Sequence, residues 1–151
     1  MKITVASPTD IDDVIVLQEK YHISSVSEAD KSSGFVTTRF TKDQLTSLIV
    51  DENGLFIVRK DGVLVAYAMA ASWPFWSQWP MFAHMIKSLH TLEFLDRQLS
   101  VENSYQYGPV CIDQSARGTG VLEMLFDFAR EKMAKRYPIL NRPGFRRGSV
   151  V

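Results

Sequence analysis

At 151 residues, with 46% apolar and 23% charged side chains, the chain has the size and mix of one globular domain rather than a disordered polymer. Its 17 basic and 17 acidic residues cancel, so no global charge favours wrapping nucleic acid or adhering to an anionic membrane. Cys111 is the single cysteine, which excludes an internal disulfide and fits a reducing compartment such as the cytoplasm. The start, Met1 to Pro8, reads as too short and too alternating for a secretion signal. The longest apolar run, Val63 to Ala71, falls well short of the roughly 20 residues a membrane helix needs.

Lys2 to Ala6 alternates as a short strand does. Ser7-Pro8-Thr9 turns the chain, and Thr9 or Asp10 caps a helix predicted to reach about His22, its acidic first turn (Asp10, Asp12, Asp13) complementing the helix dipole. Residues 24–34, rich in serine and ending at Gly34, read as a loop. Thr41 and Gln44 have the spacing of a capping box for a second helix, with Leu45, Leu48 and Ile49 on one side. Leu55–Arg59 and Val63–Trp73 are predicted strands joined by Lys60-Asp61-Gly62, a hairpin signal. The second is apolar at nearly every position, as a strand covered on both faces must be. From Trp73 to Leu99 the chain is dense in aromatic and apolar residues, with helical spacing after Pro80. This stretch is either an insertion packed on the sheet or the aromatic wall of a pocket or subunit interface. Tyr105–Ile112 is a strand in which Gly108-Pro109 predicts a bulge or a splay. A helix follows from about Gly118 to Arg136, striped by Leu122, Leu125, Phe126, Ala129 and Met133, and Tyr137-Pro138 stops it. Ile139-Leu140 begins one more strand, and residues 141–151 read as an irregular basic tail.

The chemistry concentrates where the strand Val110-Cys111-Ile112 passes through Asp113-Gln114-Ser115-Ala116 and Arg117-Gly118-Thr119-Gly120 into a helix. A helix N-terminus carries backbone N–H groups without intrahelical partners and the positive end of the dipole, so it attracts anions, phosphate above all. Glycines let the backbone approach closely and adopt positive φ, and Arg117 adds a forked cation. A Walker-type loop would need Gly-Lys-Ser/Thr, and a dinucleotide fingerprint three spaced glycines early in a βαβ unit; both are absent. Alternatively, the two glycines make only a tight strand-to-helix turn.

The same residues resemble the signature of the GNAT superfamily of acyl-CoA-dependent N-acetyltransferases, Gln/Arg-x-x-Gly-x-Gly/Ala after the family's fourth strand. Arg117 stands at its first position, Gly120 at its central glycine and Leu122 where Gly or Ala is usual. The order of elements from Met1 to about Leu140 follows the family as well, and Gly34-Phe35-Val36 to Ile49 resembles the helix-pair region of its bacterial members. The resemblance implies a single acetyltransferase-like domain over residues 1–140. Its fold would be α/β (α+β): a mixed, largely antiparallel sheet flanked by helices and splayed between the family's fourth and fifth strands. It implies acetyl-CoA as cosubstrate and no metal. Val110, Cys111 and Ile112 would hold the pantetheine arm, and Arg117, Gly118, Thr119, Gly120 and Val121 the pyrophosphate. Asn141 would match an asparagine that contacts pantetheine. The acceptor would be a small-molecule or protein amine attacking the thioester directly. A CoA-binding or protein-interaction module with little turnover is the competing reading.

Amine acetylation needs a neutral amine and a proton for the leaving thiolate. Tyr107 is the candidate donor or relay; Tyr105, Asp113 and Glu102 stand nearby in sequence. Cys111 sits in an apolar strand with no histidine near it and reads as a buried inert thiol. His22, His84 and His90 have no metal-ligand spacing. The family's tyrosine acid on a later helix has no counterpart, and neither have the helix and two strands that usually follow the fifth strand. The sheet is therefore expected to be C-terminally incomplete, with an open edge that invites a homodimer or other self-association.

Overall fold

Capping and turn residues set the ends of the elements. In chain order these are β1 (Lys2–Val5), α1 (Ile11–Tyr21), α2 (Lys42–Val50), β2 (Leu55–Lys60), β3 (Val63–Ala71), α3 (Trp73–Trp76), α4 (Pro80–Ser88), β4 (Glu93–Phe94), β5 (Arg97–Gln98), β6 (Ser104–Ile112), α5 (Val121–Ala134) and β7 (Ile139–Asn141). The structure, a computed structural model, describes residues 1–31, 34–94 and 97–141, the side chains of Phe94, Leu140 and Asn141 excepted. A 3-10 turn over Pro8–Asp10 precedes α1, held by the Ser7 N–H donating to Asp10 Oδ2 at 2.9 Å. The capping box of α2 is present: Gln44 N–H donates to Thr41 Oγ1 (3.1 Å) and Thr41 N–H to Gln44 Oε1 (3.0 Å). Asp61 and Gly62, at φ 52° and 80°, form the two-residue turn between β2 and β3.

The main sheet runs β1-β2-β3-β6-β7. Its first four strands are antiparallel to their neighbours, and the short β7 lies parallel to β6. Alternation along β2 and β3 sends Leu55, Ile57, Tyr67 and Met69 to the face covered by α1, α2 and α3. It sends Phe56, Val58, Ala68 and Ala70 to the face covered by α5. Both faces are buried, as the unbroken apolar run of β3 requires.

The aromatic insertion resolves into packing. Trp73 and Trp76 are fully buried, the first donating from Nε1 to Ser104 Oγ (3.0 Å) and the second to the Ala71 carbonyl (3.2 Å). Phe40 meets Trp76 and Trp79 edge-on at 6.1 and 5.1 Å. The predicted helix after Pro80 is α4. The expected strand to Trp73 stops at Ala71 because Ser72 caps α3, accepting from the Phe75 N–H.

Two features of β6 shape the site. Its pairing with β3 shifts register between Ala68 and Ala70, opposite Gly108-Pro109, which is the expected bulge. Its pairing with β7 covers only Ser104 to Gln106. Beyond Gln106, among the described residues, β6 has no partner on that side. The expected tail begins at Asn141, the last residue of β7, and otherwise lies outside the described residues.

Candidate functional site

Past β6 the chain turns sharply. Asp113 ends the strand pairing by donating its N–H to the Val65 carbonyl (2.7 Å), and its carboxylate caps the next 3-10 turn, Gln114–Ala116. There it accepts from the Ser115 N–H (3.0 Å) and hydroxyl (2.5 Å). Arg117 is extended, and Nε donates back to the Ile112 carbonyl (3.0 Å). Gly118 and Gly120 sit at φ 75° and 81°, where an L side chain is strained. A Cβ on either would meet nothing within 4 Å, so both face open space.

These two conformations move the start of α5 from the predicted Gly118 to Val121. Leu122, which departs from the signature, lies in the first turn of α5. The first helical bond is Met124 N–H to the Gly120 carbonyl (3.1 Å), and no side chain caps the helix. The amides of Val121, Leu122 and Glu123 therefore precede the intrahelical ladder. Thr119 turns its hydroxyl inward, donating to the Ala116 carbonyl.

The end of α1 braces this turn. The Tyr21 hydroxyl donates to Asp113 Oδ1 (3.1 Å) and accepts from the Gln114 N–H (2.7 Å). Lys20 Nζ lies 2.6 Å from the same Oδ1, and the Arg117 guanidinium lies 5.0 Å from the centre of the Tyr21 ring. Burial pushes the Asp113 carboxyl upward, but the Lys20 ammonium, the Ser115 hydroxyl and amide, and the Tyr21 hydroxyl outweigh it and hold the group well below the carboxylate range. The same contact with Asp113 raises Lys20.

Between the turn and the end of α1 opens a cleft of about 560 Å³. Val110, Cys111, Ile112, Ala116, Arg117, Gly118 and Gly120 form one wall, with Val121, Leu122 and Glu123 of α5; Tyr21, Gly34, Phe35 and Val36 form the other. Apolar residues dominate, with one cation and the helix N-terminus at one end. Such a cleft suits a long flexible ligand with an anionic segment.

Of the residues expected at the site, Val110, Cys111, Ile112, Arg117, Gly118, Gly120 and Val121 line the cleft. Thr119 is in the turn but not among the lining residues. Asn141 reaches the site only as backbone, opposite Gln106 at the end of the β6–β7 pairing; its side chain lies outside the described residues. Tyr107 is not brought to the cleft: it packs beneath α5, its ring 5.3 Å from that of Phe126. Tyr105 is buried on that same face, and burial pushes its hydroxyl to about 12. Burial likewise pushes the Cys111 thiol to about 12, against the lowering effect of Tyr67 and Arg117, so it stays protonated. Glu102 is exposed ahead of β6.

One participant was invisible to local sequence patterns. Tyr21 reaches the turn from 92 positions away, a contact no local period announces. Gln106, buried at the last described pair of β6 with β7, donates from Nε2 to the Tyr107 carbonyl (2.9 Å), and among the described residues its Oε1 has no hydrogen-bond partner.

The sequence matches no family profile and no curated protein. Solved structures match over nearly the whole chain. A tetramutant of the BH1408 protein from Bacillus halodurans superposes with TM-score 0.60 at 14% identity, over 96% of this chain and 83% of its own. The GphF GNAT-like decarboxylase, in complex with isobutyryl-CoA, matches with TM-score 0.57 at 18% identity over 94% of this chain. Only 64% of the decarboxylase, less than two thirds, is covered. An N-acetyltransferase from Staphylococcus aureus Mu50 matches with TM-score 0.56 at 18% identity, over 93% and 71%. The strand order, the strand–glycine turn–helix unit and these superpositions agree: the chain has the GNAT fold.

Proposed function

We propose that the cleft binds acetyl-CoA and that the chain transfers the acetyl group to a primary amine. The observation that carries this reading is the joining of an uncapped helix N-terminus, two left-handed glycines and Arg117 to a cleft lined by the end of β6, Val110 to Ile112. Amides at the start of α5 and the Arg117 cation would take the pyrophosphate. The β6 backbone from Val110 to Ile112, no longer engaged by β7, would hydrogen-bond the pantetheine amides as an added strand does. The thioester supplies the acyl group; the amine nitrogen forms the new C–N bond as the C–S bond breaks, and the proton lost by the nitrogen balances the one gained by sulfur. Cys111 forms no acyl intermediate in this scheme, because its thiol is held neutral.

The competing reading is CoA binding or partner binding without turnover. Among the lining residues the ionisable groups are Tyr21, Cys111, Arg117 and Glu123; Tyr21 braces the turn, and the Cys111 thiol is held neutral. Incubation with acetyl-CoA and a panel of small amines and N-terminal peptides, with free thiol measured, separates the two. Amine-dependent thiol release is expected. Its absence across the panel, with CoA binding intact, would favour the binding module.

A further inference from the structure

We propose that Tyr21 is the positioning residue of the phosphate turn, the staple that makes the two walls of the cleft one preformed unit. This rests on the cleft being a CoA site. The residue touches three parts of the site. Its backbone carbonyl accepts from the Val36 N–H (2.8 Å), and the next bond, Ile23 N–H to the Val36 carbonyl (2.8 Å), completes the parallel bridge of His22 with Val36. That fixes the wall carrying Gly34, Phe35 and Val36. On the other wall, its hydroxyl holds the Gln114 N–H and the Asp113 carboxylate together, setting the path on which Gly118 and Gly120 lie. Its ring carries the Arg117 guanidinium, which is also tethered by Nε to the Ile112 carbonyl.

The arrangement has an energetic consequence. A turn with two glycines in left-handed conformations loses much entropy when ordered. If that ordering had to wait for the ligand, it would subtract from affinity; a turn already braced does not incur it on binding. The Tyr21 hydroxyl acts on the phosphate end of the cleft, through Gln114 and Asp113, and neither bond involves the Val110–Ile112 backbone that takes the pantetheine arm. Its removal therefore weakens ligands with a pyrophosphate selectively.

The test compares wild type with Tyr21→Phe, which keeps the ring and removes the hydroxyl, and Tyr21→Leu, which removes both. CoA is titrated calorimetrically and pantetheine by NMR chemical shifts. Expected are a roughly 5–10-fold rise in the CoA Kd for Tyr21→Phe, as for one or two lost hydrogen bonds, and a larger rise for Tyr21→Leu. The pantetheine Kd should stay within about twofold for Tyr21→Phe. Wild-type affinity for CoA in Tyr21→Phe would overturn the inference. So would equal weakening of CoA and pantetheine, the mark of a merely structural residue. Failure of wild type to bind CoA would instead overturn the cofactor reading beneath it.

Discussion

Asp113 is where charge and backbone geometry meet. Its carboxylate accepts from Ser115 twice and from Tyr21, and faces Lys20, and these contacts hold its folded pKa below the value of about 3.9 it would have unfolded. Because the folded value is the lower one, the carboxylate stabilises the fold fully above the unfolded pKa. That contribution fades as pH falls through the unfolded pKa toward the folded one. Asp113→Asn should thus lower stability by about 1–2 kcal/mol near neutrality, and the gap from wild type should narrow below about pH 4. Urea unfolding of both proteins at neutral and acidic pH checks this; a gap that does not change with pH would show that the charge is not responsible. Cys111, two residues earlier, illustrates the opposite environment: burial keeps its proton on, so its neighbourhood serves packing.

At the scale of elements, close approaches decide more than propensities do. Gly54, after α2, donates to the Leu48 carbonyl (3.0 Å) and accepts from the Ala70 N–H (2.8 Å), and a Cβ there would lie 1.7 Å from the Ala70 carbonyl oxygen. Gly54→Ala must push β3 away from the α2–β2 turn, and a loss of about 2–3 kcal/mol is expected from such overpacking. Thermal or denaturant unfolding measures it; an unchanged midpoint would contradict the packing described. Nothing in the local sequence marks Gly54, because no short-range pattern tells that a neighbouring strand passes so near. The hairpin at Asp61-Gly62, the Thr41 capping box and the break at Gly108-Pro109 were legible, since each is a local preference expressed within a few residues. The anion turn was legible for the same reason, although α5 begins three residues later than its apolar stripe suggested. The short helix α3 was not, because Pro74 and three aromatic residues carry no helical period over four positions. The second wall of the cleft and the brace at Tyr21 were hidden for another reason: they exist only once α1 lies against β6.

At the scale of the molecule, the sheet does two jobs. From β1 to β6 it is a continuous antiparallel core with both faces covered, α1 to α3 on one side and α5 on the other. Among the described residues the pairing of β6 with β7 covers only Ser104 to Gln106, and β6 runs on through the glycine turn to the uncapped start of α5. That union of a firm scaffold with unpaired donors is what a preorganised anion site needs. It also explains why the proposed cofactor is more legible than the proposed acceptor: the turn carries local anion-binding features, whereas nothing comparable in the sequence marks an amine pocket. Calorimetric titration of wild type and Gly120→Glu with CoA tests this union most directly. The account predicts saturable binding by wild type and a thermal midpoint that rises with ligand by mass action, the stabilisation reaching about 2.7 kcal/mol at a hundredfold excess over Kd. It predicts no binding by Gly120→Glu, whose side chain would place bulk and negative charge in the open space over the turn. No heat from wild type at millimolar CoA, or equal binding by the variant, would contradict it.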